Sequence, residues 1–237
     1  MIPCIGCAFY NRRDLLQRLI SSIDHEVGWF FTANNGQQSL HELQFPSFVQ
    51  GVGEEVNERN LGCAGGWNQC LDFAFNQKGL DSVFIVGNDI EFHPGDLVRM
   101  EKAVIDFPEA DFIFGNHSFS NFLVKRSGFD KFGWFDENFY PAYWEDGDAW
   151  MRMKRNKTIK TIHATGLHTK HEGSATVNSD SALRNLNQIT FQKNREYYES
   201  KWDFERAEHP FNNPNNPVNF WQISSDRMAQ PHFRTGS

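Results

Sequence analysis

The sequence is short of cysteine, of long apolar runs and of positive charge, and each shortage excludes something. There are only four cysteines, Cys4, Cys7, Cys63 and Cys70, which is too few for a disulfide framework in a chain of 237 residues. Cys4 and Cys7 form a C-x-x-C with no second pair to complete a zinc site, and they fall in a strand-like run whose alternate positions face opposite sides. Reduced, partly buried thiols are the expectation. No apolar segment approaches the roughly 20 residues that cross a bilayer. The start Met1-Ile2-Pro3-Cys4 lacks the basic opening and apolar stretch of a secretory signal, so a cytoplasmic location is expected. Lys and Arg number 23 against 30 Asp and Glu, a net charge of -7. Without a basic stripe to neutralise phosphates, a nucleic-acid partner is excluded. An anionic substrate would need local help from a metal ion or from backbone amides. No G-x-G-x-x-G is present, so no dinucleotide site is read.

What the chain does have is enough apolar side chain, 39% of residues with 23 Phe among them, to fill the core of one large domain. Residues 2–9 and 27–33 read as strands around a helix carrying Leu15, Leu16, Leu19, Ile20 and Ile23 at helical spacing, the opening of a parallel α/β sheet. Residues 48–56 hold a third short strand. A small-residue turn, Asn60-Leu61-Gly62-Cys63-Ala64-Gly65-Gly66-Trp67-Asn68, then opens a helix, where glycines let a ligand approach free amides. Helices are also expected over 97–107, from Trp144 onward and over 182–201. Short strands are expected at 112–114, 122–124 and 159–164, and the Phe-, Trp- and Gly-rich stretch 128–144 reads as a loop. From about residue 206 the composition changes, and Asn212-Asn213-Pro214-Asn215-Asn216-Pro217 suits neither a helix nor a central strand. Residues 206–237 are read as a tail or linker.

The centre of the pattern is Val83-Phe84-Ile85-Val86-Gly87-Asn88-Asp89-Ile90-Glu91. An apolar run of this kind is a strand covered on both faces, and it delivers an Asn and two acids to its C-terminal end, where open α/β sheets bind ligands. Asp89 and Glu91 could share one hard cation that keeps positions open for phosphate oxygens. Three acids in four residues follow Trp144. The aromatic faces of Trp134, Tyr143 and Trp144 could stack on a sugar ring, whereas Phe135 and Phe139 are expected in the core.

Taken in order, the Tyr10-Asn11-Arg12 turn, Asn60-x-Gly62-x-Ala64-Gly65-Gly66-x-Asn68, the Asn88-Asp89 strand end and Trp144-Glu145-Asp146-x-Asp148 resemble the family 2 glycosyltransferases of the GT-A fold. The resemblance covers about residues 2–203 and is greatest to small bacterial and viral members that include rhamnosyl- and galactosyltransferase-like enzymes. It implies a single Rossmann-like α/β domain over 1–205, a mostly parallel central sheet flanked by helices. Residues 1–97 would form its nucleotide-binding half and 98–205 its acceptor and catalytic half. It implies a metal-dependent, inverting transfer of a sugar from a nucleotide-diphosphate donor, most simply a UDP-sugar, to a carbohydrate hydroxyl. Ala8, Phe9, Tyr10 and Arg12 would line the base and ribose pocket, Asn34 and Asn35 would touch the base or ribose, and Asn60, Gly62, Gly65, Asn68 and Asn88 would lie beside the nucleotide. Asp89 would bind Mn2+ or Mg2+. Glu91 stands where the family's strict Asp-x-Asp is broken. His168 or His171 would complete the metal site or contact the diphosphate. Asp146 would be the general base, with Glu145 the alternative. A sugar nucleotidyltransferase would need a Gly-rich loop with a basic residue after the first strand, and residues 4–13 lack the glycines. A catalytically inactive carbohydrate-binding relative is the other reading.

Overall fold

The computed structural model describes residues 1–173 and 175–202; Ser174 and the tail expected from residue 206 lie outside them. Nine strands, seven α-helices and one π-helical segment (Asp72–Gln77) that continues the second of them are found among the described residues. A seven-stranded sheet runs in the order β3-β2-β1-β4-β7-β6-β8 and a small two-stranded sheet joins β5 to β9. The strands of the large sheet are β1 (Ile2–Phe9), β2 (Val27–Asn34), β3 (Val49–Val56), β4 (Ser82–Gly87), β6 (Phe112–Gly115), β7 (Ser118–Lys125) and β8 (Thr161–His163). β3, β2, β1 and β4 are parallel neighbours, β7 runs antiparallel to both β4 and β6, and β8 returns parallel to β6. The expected mostly parallel sheet flanked by helices is therefore present, with one reversed strand inside it.

Covering on both faces explains the unbroken apolar runs of β1 and β4. One layer of the core packs α1 (Arg13–Ser21) and α3 (Asp96–Asp106) on the sheet through Leu16, Leu19, Ile20, Leu97 and Met100. The other layer packs α2 (Gly62–Leu71) with a large aromatic cluster around Trp67, Phe114, Phe122 and Phe135. Cys7 belongs to the first layer and Cys4 to the second, as strand alternation requires for positions three apart. All four cysteines are free thiols.

The start of the stretch read as a loop, 128–144, is instead the end of α4 (Arg126–Phe132). Gly128 weakens its intrinsic propensity, but buried Asp111 holds the helix from outside, accepting from Ser127 Oγ at 2.7 Å and from Lys131 Nζ at 2.7 Å. α5 (Glu145–Arg155) is fixed by Arg152, which donates to the carbonyls of Trp134 and Phe132. α7 (Ser181–Trp202) docks on it through Phe139, Trp144, Met151, Tyr198 and Trp202. At that contact Lys201 reaches Asp136 at 2.6 Å and Asp148 at 2.8 Å, and the Trp202 indole donates to Asp148 at 3.0 Å. The third acid of the Glu145-Asp146-x-Asp148 run thus serves the core. No helix among the described residues is long and apolar enough to cross a membrane.

Candidate active site

Because β1, β2 and β4 are parallel, their C-terminal ends bring Phe9–Tyr10, Asn34–Asn35 and Gly87–Asp89 to one edge of the sheet. A cavity of about 150 Å³ opens there. Its walls are Ala8, Phe9 and Tyr10 from β1, Asn35, the Asn60–Gly62–Cys63 turn, Asn88, Pro141 and Ala142, with Thr176, Val177 and Leu183 from α6 (Ala175–Ser179) and α7 on top. None of these lining residues is a Lys or Arg.

The turn before α2 is built to close this wall. Gly62 has φ 76, and a Cβ on it would lie 2.7 Å from the Pro141 carbonyl oxygen, so only glycine fits the conformation and the contact together. Asn60 Oδ1 accepts from the Gly62 amide at 2.8 Å. Asn35 ties the second strand to the same turn, donating to the Gly62 carbonyl at 3.1 Å and accepting from the Leu61 amide at 3.2 Å and from Asn57 at 2.9 Å. Asn88 is 8% exposed and accepts from Thr176 Oγ1 at 3.2 Å, while its Nδ2 has no hydrogen-bond partner. A buried donor left open on a cavity wall is costly unless a ligand takes it.

Asp89 lies beyond Asn88. Its carboxylate is 3.2 Å from His171 Nε2, and it also accepts from the Ala175 amide. Burial would raise the Asp89 carboxyl, but His171 and the backbone amides outweigh it and hold the carboxyl below its ordinary range. Its bond to Asp89 in turn raises His171. His171 reaches this position on β9 (Lys170–His171), which pairs with β5 (Ile90–Glu91). The approach to β9 is pinned at Thr169. Its hydroxyl donates to fully buried Asp96 at 2.7 Å, and its carbonyl faces His117 Nε2 at 2.6 Å. Among the described residues no group of three or more His, Cys, Asp or Glu is arranged to hold a metal ion. The Asp89–His171 pair offers one oxygen and one nitrogen donor, which fits Mn2+ better than oxygen-seeking Mg2+ and leaves coordination positions open.

Glu145 and Asp146 open α5. Glu145 is 6% exposed, and its Oε2 has no hydrogen-bond partner. Burial, then the neighbouring Asp146 charge, pushes its pKa from 4.5 up to about 8. Asp146 is raised by burial and partly restored by the amides of Gly147, Asp146 and Trp144. The Cys63 thiol is pushed well up by burial first and then by Glu145, Asp146 and Asp89. All three acids therefore act electrostatically on one thiol of the cavity wall, while none of them is itself a lining residue.

Several residues assigned by resemblance stand elsewhere. Asn34 points into its own turn, bonding Glu54, Gln38 and the Gly36 amide. Asn68, fully buried, bridges α2 to the Phe135 backbone and Glu137, so it braces the aromatic layer away from the cavity. Gly65 sits against Leu61 Cβ, a packing position. Arg12 is held by Asp14 and reaches the Ala175 carbonyl at 3.3 Å, touching the roof of the cavity from outside. Glu91 is taken by Arg18 at 3.5 Å and Lys170 at 3.3 Å, which removes it from Asp89. His168 is exposed, gives its amide to Asp96 and lies against His93; of the two histidines His171 meets Asp89. Trp144 is 4% exposed between Phe191 and Tyr198, Trp134 packs edge-on to Phe129, and Tyr143 packs on Phe191. These three rings are engaged in packing. Phe135 and Phe139 are buried, as expected. Cys63, Thr176 and Leu183 line the cavity without having been singled out. Cys63 lay inside the Asn60–Asn68 motif and was open to recognition; Thr176 and Leu183 carry no local signal.

The sheet order, the reversed strand and the acids at the strand end define the GT-A glycosyltransferase fold, and comparison with solved structures agrees. S. aureus TarS 1-349 in complex with UDP-GlcNAc superposes with a TM-score of 0.54 at 15% identity, covering 73% of this chain and 60% of that one. GalNAc-T7 with UDP, GalNAc and Mn2+ gives 0.52 at 11% identity, covering 84% of this chain and 50% of that one. The longer S. aureus TarS structure gives 0.52 at 14% identity, covering 70% and 36%. The chain thus spans from about a third to three-fifths of the length of these neighbours. No family model and no curated protein sequence matches it.

Proposed function

We propose that the chain is a metal-dependent, inverting glycosyltransferase that moves a sugar from a nucleotide-diphosphate donor, a UDP-sugar, to a hydroxyl of a carbohydrate acceptor. The observation that supports this reading is the cavity at the C-terminal ends of β1, β2 and β4, whose wall holds the open Asn88 donor and Cys63, on whose thiol the charges of Glu145, Asp146 and Asp89 all act. The two TarS and GalNAc-T7 complexes, with UDP-GlcNAc and with UDP and Mn2+, lend support on the same fold.

In this reading Asn35, the Asn60–Cys63 turn and Asn88 hold the nucleotide. Asp89 and His171 hold a divalent cation which, when bound, offsets the charge that builds on the departing diphosphate. The cavity wall offers no Lys or Arg for that task. Asp146 accepts the proton of the acceptor hydroxyl as its oxygen bonds to C1 and the C1–O bond to the diphosphate breaks with its electron pair. A single displacement of this kind inverts the anomeric centre. Glu145, next to Asp146 in the chain, is the alternative base in its ionised form, which burial and the Asp146 charge disfavour.

Calorimetric titration of UDP with and without Mn2+ tests the reading. Wild type is expected to bind UDP more tightly with Mn2+, and Asp89→Ala to lose that gain. Equal affinity with and without the metal in wild type would remove the metal from the proposal, and no UDP binding at all would leave an inactive relative of the fold.

A further inference from the structure

β9 is two residues long, with His171 against Ile90 and Lys170 against Glu91. So short a ladder cannot hold its own register, and a slip of one residue would turn the His171 ring to the opposite face, away from Asp89. The register is set from outside, at Thr169. On one side the Thr169 hydroxyl donates to Asp96 at 2.7 Å, and the fully buried Asp96 carboxylate also takes the His168 amide at 3.1 Å. On the other side the Thr169 carbonyl takes His117 Nε2 at 2.6 Å and Asn116 Nδ2 at 2.9 Å. A carbonyl only accepts, so the His117 proton sits on Nε2. The 3.2 Å between Asn116 Nδ2 and His117 Nε2 is then the spacing of two donors on one oxygen.

His117 also meets His171 itself: the two rings lie 5.3 Å apart at 58°. Its backbone is fixed in the turn between β6 and β7, where its amide donates to Asn121 Oδ1 at 2.9 Å and its carbonyl accepts from the Ser120 amide at 2.9 Å. Asn121 is fully buried and pairs with Val86 of β4, the strand that leads into Asp89. Ser118, the next residue, has φ 52, a left-handed conformation that a serine adopts only where its surroundings impose it. His117 is thus tied to the same strand pair that presents Asp89.

We propose that His117 is a positioning residue: from the β6–β7 turn it grips the Thr169 carbonyl and backs the His171 ring, and so keeps His171 Nε2 at 3.2 Å from Asp89. Outer groups of this kind orient side chains that bind a metal ion. The consequence for Mn2+ rests on the reading of Asp89 and His171 as the cation pair; the placement of His171 on Asp89 does not.

The test reads His171 directly in the full chain, by the ring N–H signals of nitrogen-labelled histidine at one fixed pH, with His171→Gln to assign them. Wild type should show a His171 Nε2–H signal protected by its bond to Asp89. His117→Phe keeps a ring beside His171 and removes the donor, and should lose that signal. His117→Gln places an amide N–H near the Nε2 position and should restore it. Should the Phe variant not fold, His117→Ala replaces it. No protected signal in wild type, a donor-free variant that keeps it, or a Gln variant that loses it would overturn the proposal, whatever happens to the melting temperature. Mn2+ binding in the presence of UDP is measured separately, by the paramagnetic resonance of the free ion, and should weaken about 10- to 100-fold in the Phe variant. Equal affinity in a wild type that does bind Mn2+ would overturn the proposal too. No Mn2+ binding by wild type would defeat the functional reading, while the His171 signal still decides the placement.

Discussion

Replacing Glu145 by Gln should stabilise the protein in a pH-dependent way. Folding moves the carboxyl from an environment where its pKa is 4.5 to one where it is about 8, through burial first and the Asp146 charge second. The sign is the less common one for an acid. Below about pH 4 both states are protonated and no penalty exists. Between the two values the unfolded chain releases the proton and the folded chain keeps it, so stability falls as pH rises, by about 1.4 kcal/mol per unit. The accumulated cost is about 3 kcal/mol at pH 7 and approaches about 5 kcal/mol above pH 8. Gln has no proton to release. Its amide adds a constant offset because its own hydrogen bonds differ, but that offset does not vary with pH. Urea denaturation of both proteins at pH 5 and pH 8, analysed with a common m-value, should show the stability difference moving in favour of Gln by about 3 kcal/mol between the two. Curves that remain parallel across this range would refute the argument, since they would mean that Glu145 ionises as freely in the folded protein as in the unfolded chain. A buried carboxyl kept in an environment that opposes its charge is a functional-site candidate.

Two further substitutions separate chemistry from scaffold. Asp146→Asn should leave UDP binding in place and lower turnover by about 10²- to 10⁴-fold; a larger loss in Glu145→Gln than in Asp146→Asn, from the same steady-state assay, would transfer the base to Glu145. Lys201→Met should remove a cation 2.6 Å from Asp136 and 2.8 Å from Asp148, both about 1% exposed, leaving Arg152 at 3.7 Å from Asp148 and the neutral donors Trp202 and Tyr197. The expected loss is about 3 kcal/mol, or roughly 6–12 °C in melting temperature for a chain of this size, read by calorimetry; a change below a degree would show that the network contributes little.

The frame of the molecule was written locally. β1 and β4 are unbroken apolar runs, α1 repeats Leu and Ile at helical spacing, and the Asn88–Asp89 end follows its strand with no room for ambiguity about which edge of the sheet it occupies. Where reading failed, the deciding partner was distant in sequence. α4 contains a glycine and is held by Asp111, while His171 and His168, three residues apart, were alike until pairing of β9 with β5 brought one of them to Asp89. Asn34 and Asn35 were equally inseparable in sequence, and strand alternation sends one into its own turn and the other to the cavity. The same cause underlies the aromatic residues: a Trp beside an acidic motif offers a stacking face or fills a core, and only α7, supplying Phe191 and Tyr198 from some fifty residues away, decides for Trp144. Charge alone did not settle a motif residue's place either: Asp89 meets His171, whereas Glu91 pairs with Arg18 and Lys170, Arg12 with Asp14, and Asp148 with Lys201. For charged and apolar residues alike, the role belongs to whichever element covers or pairs with them. By that logic the roof formed by α6 and the start of α7, which has no local signature, is where donor and acceptor selectivity would be hardest to read from any sequence of this fold.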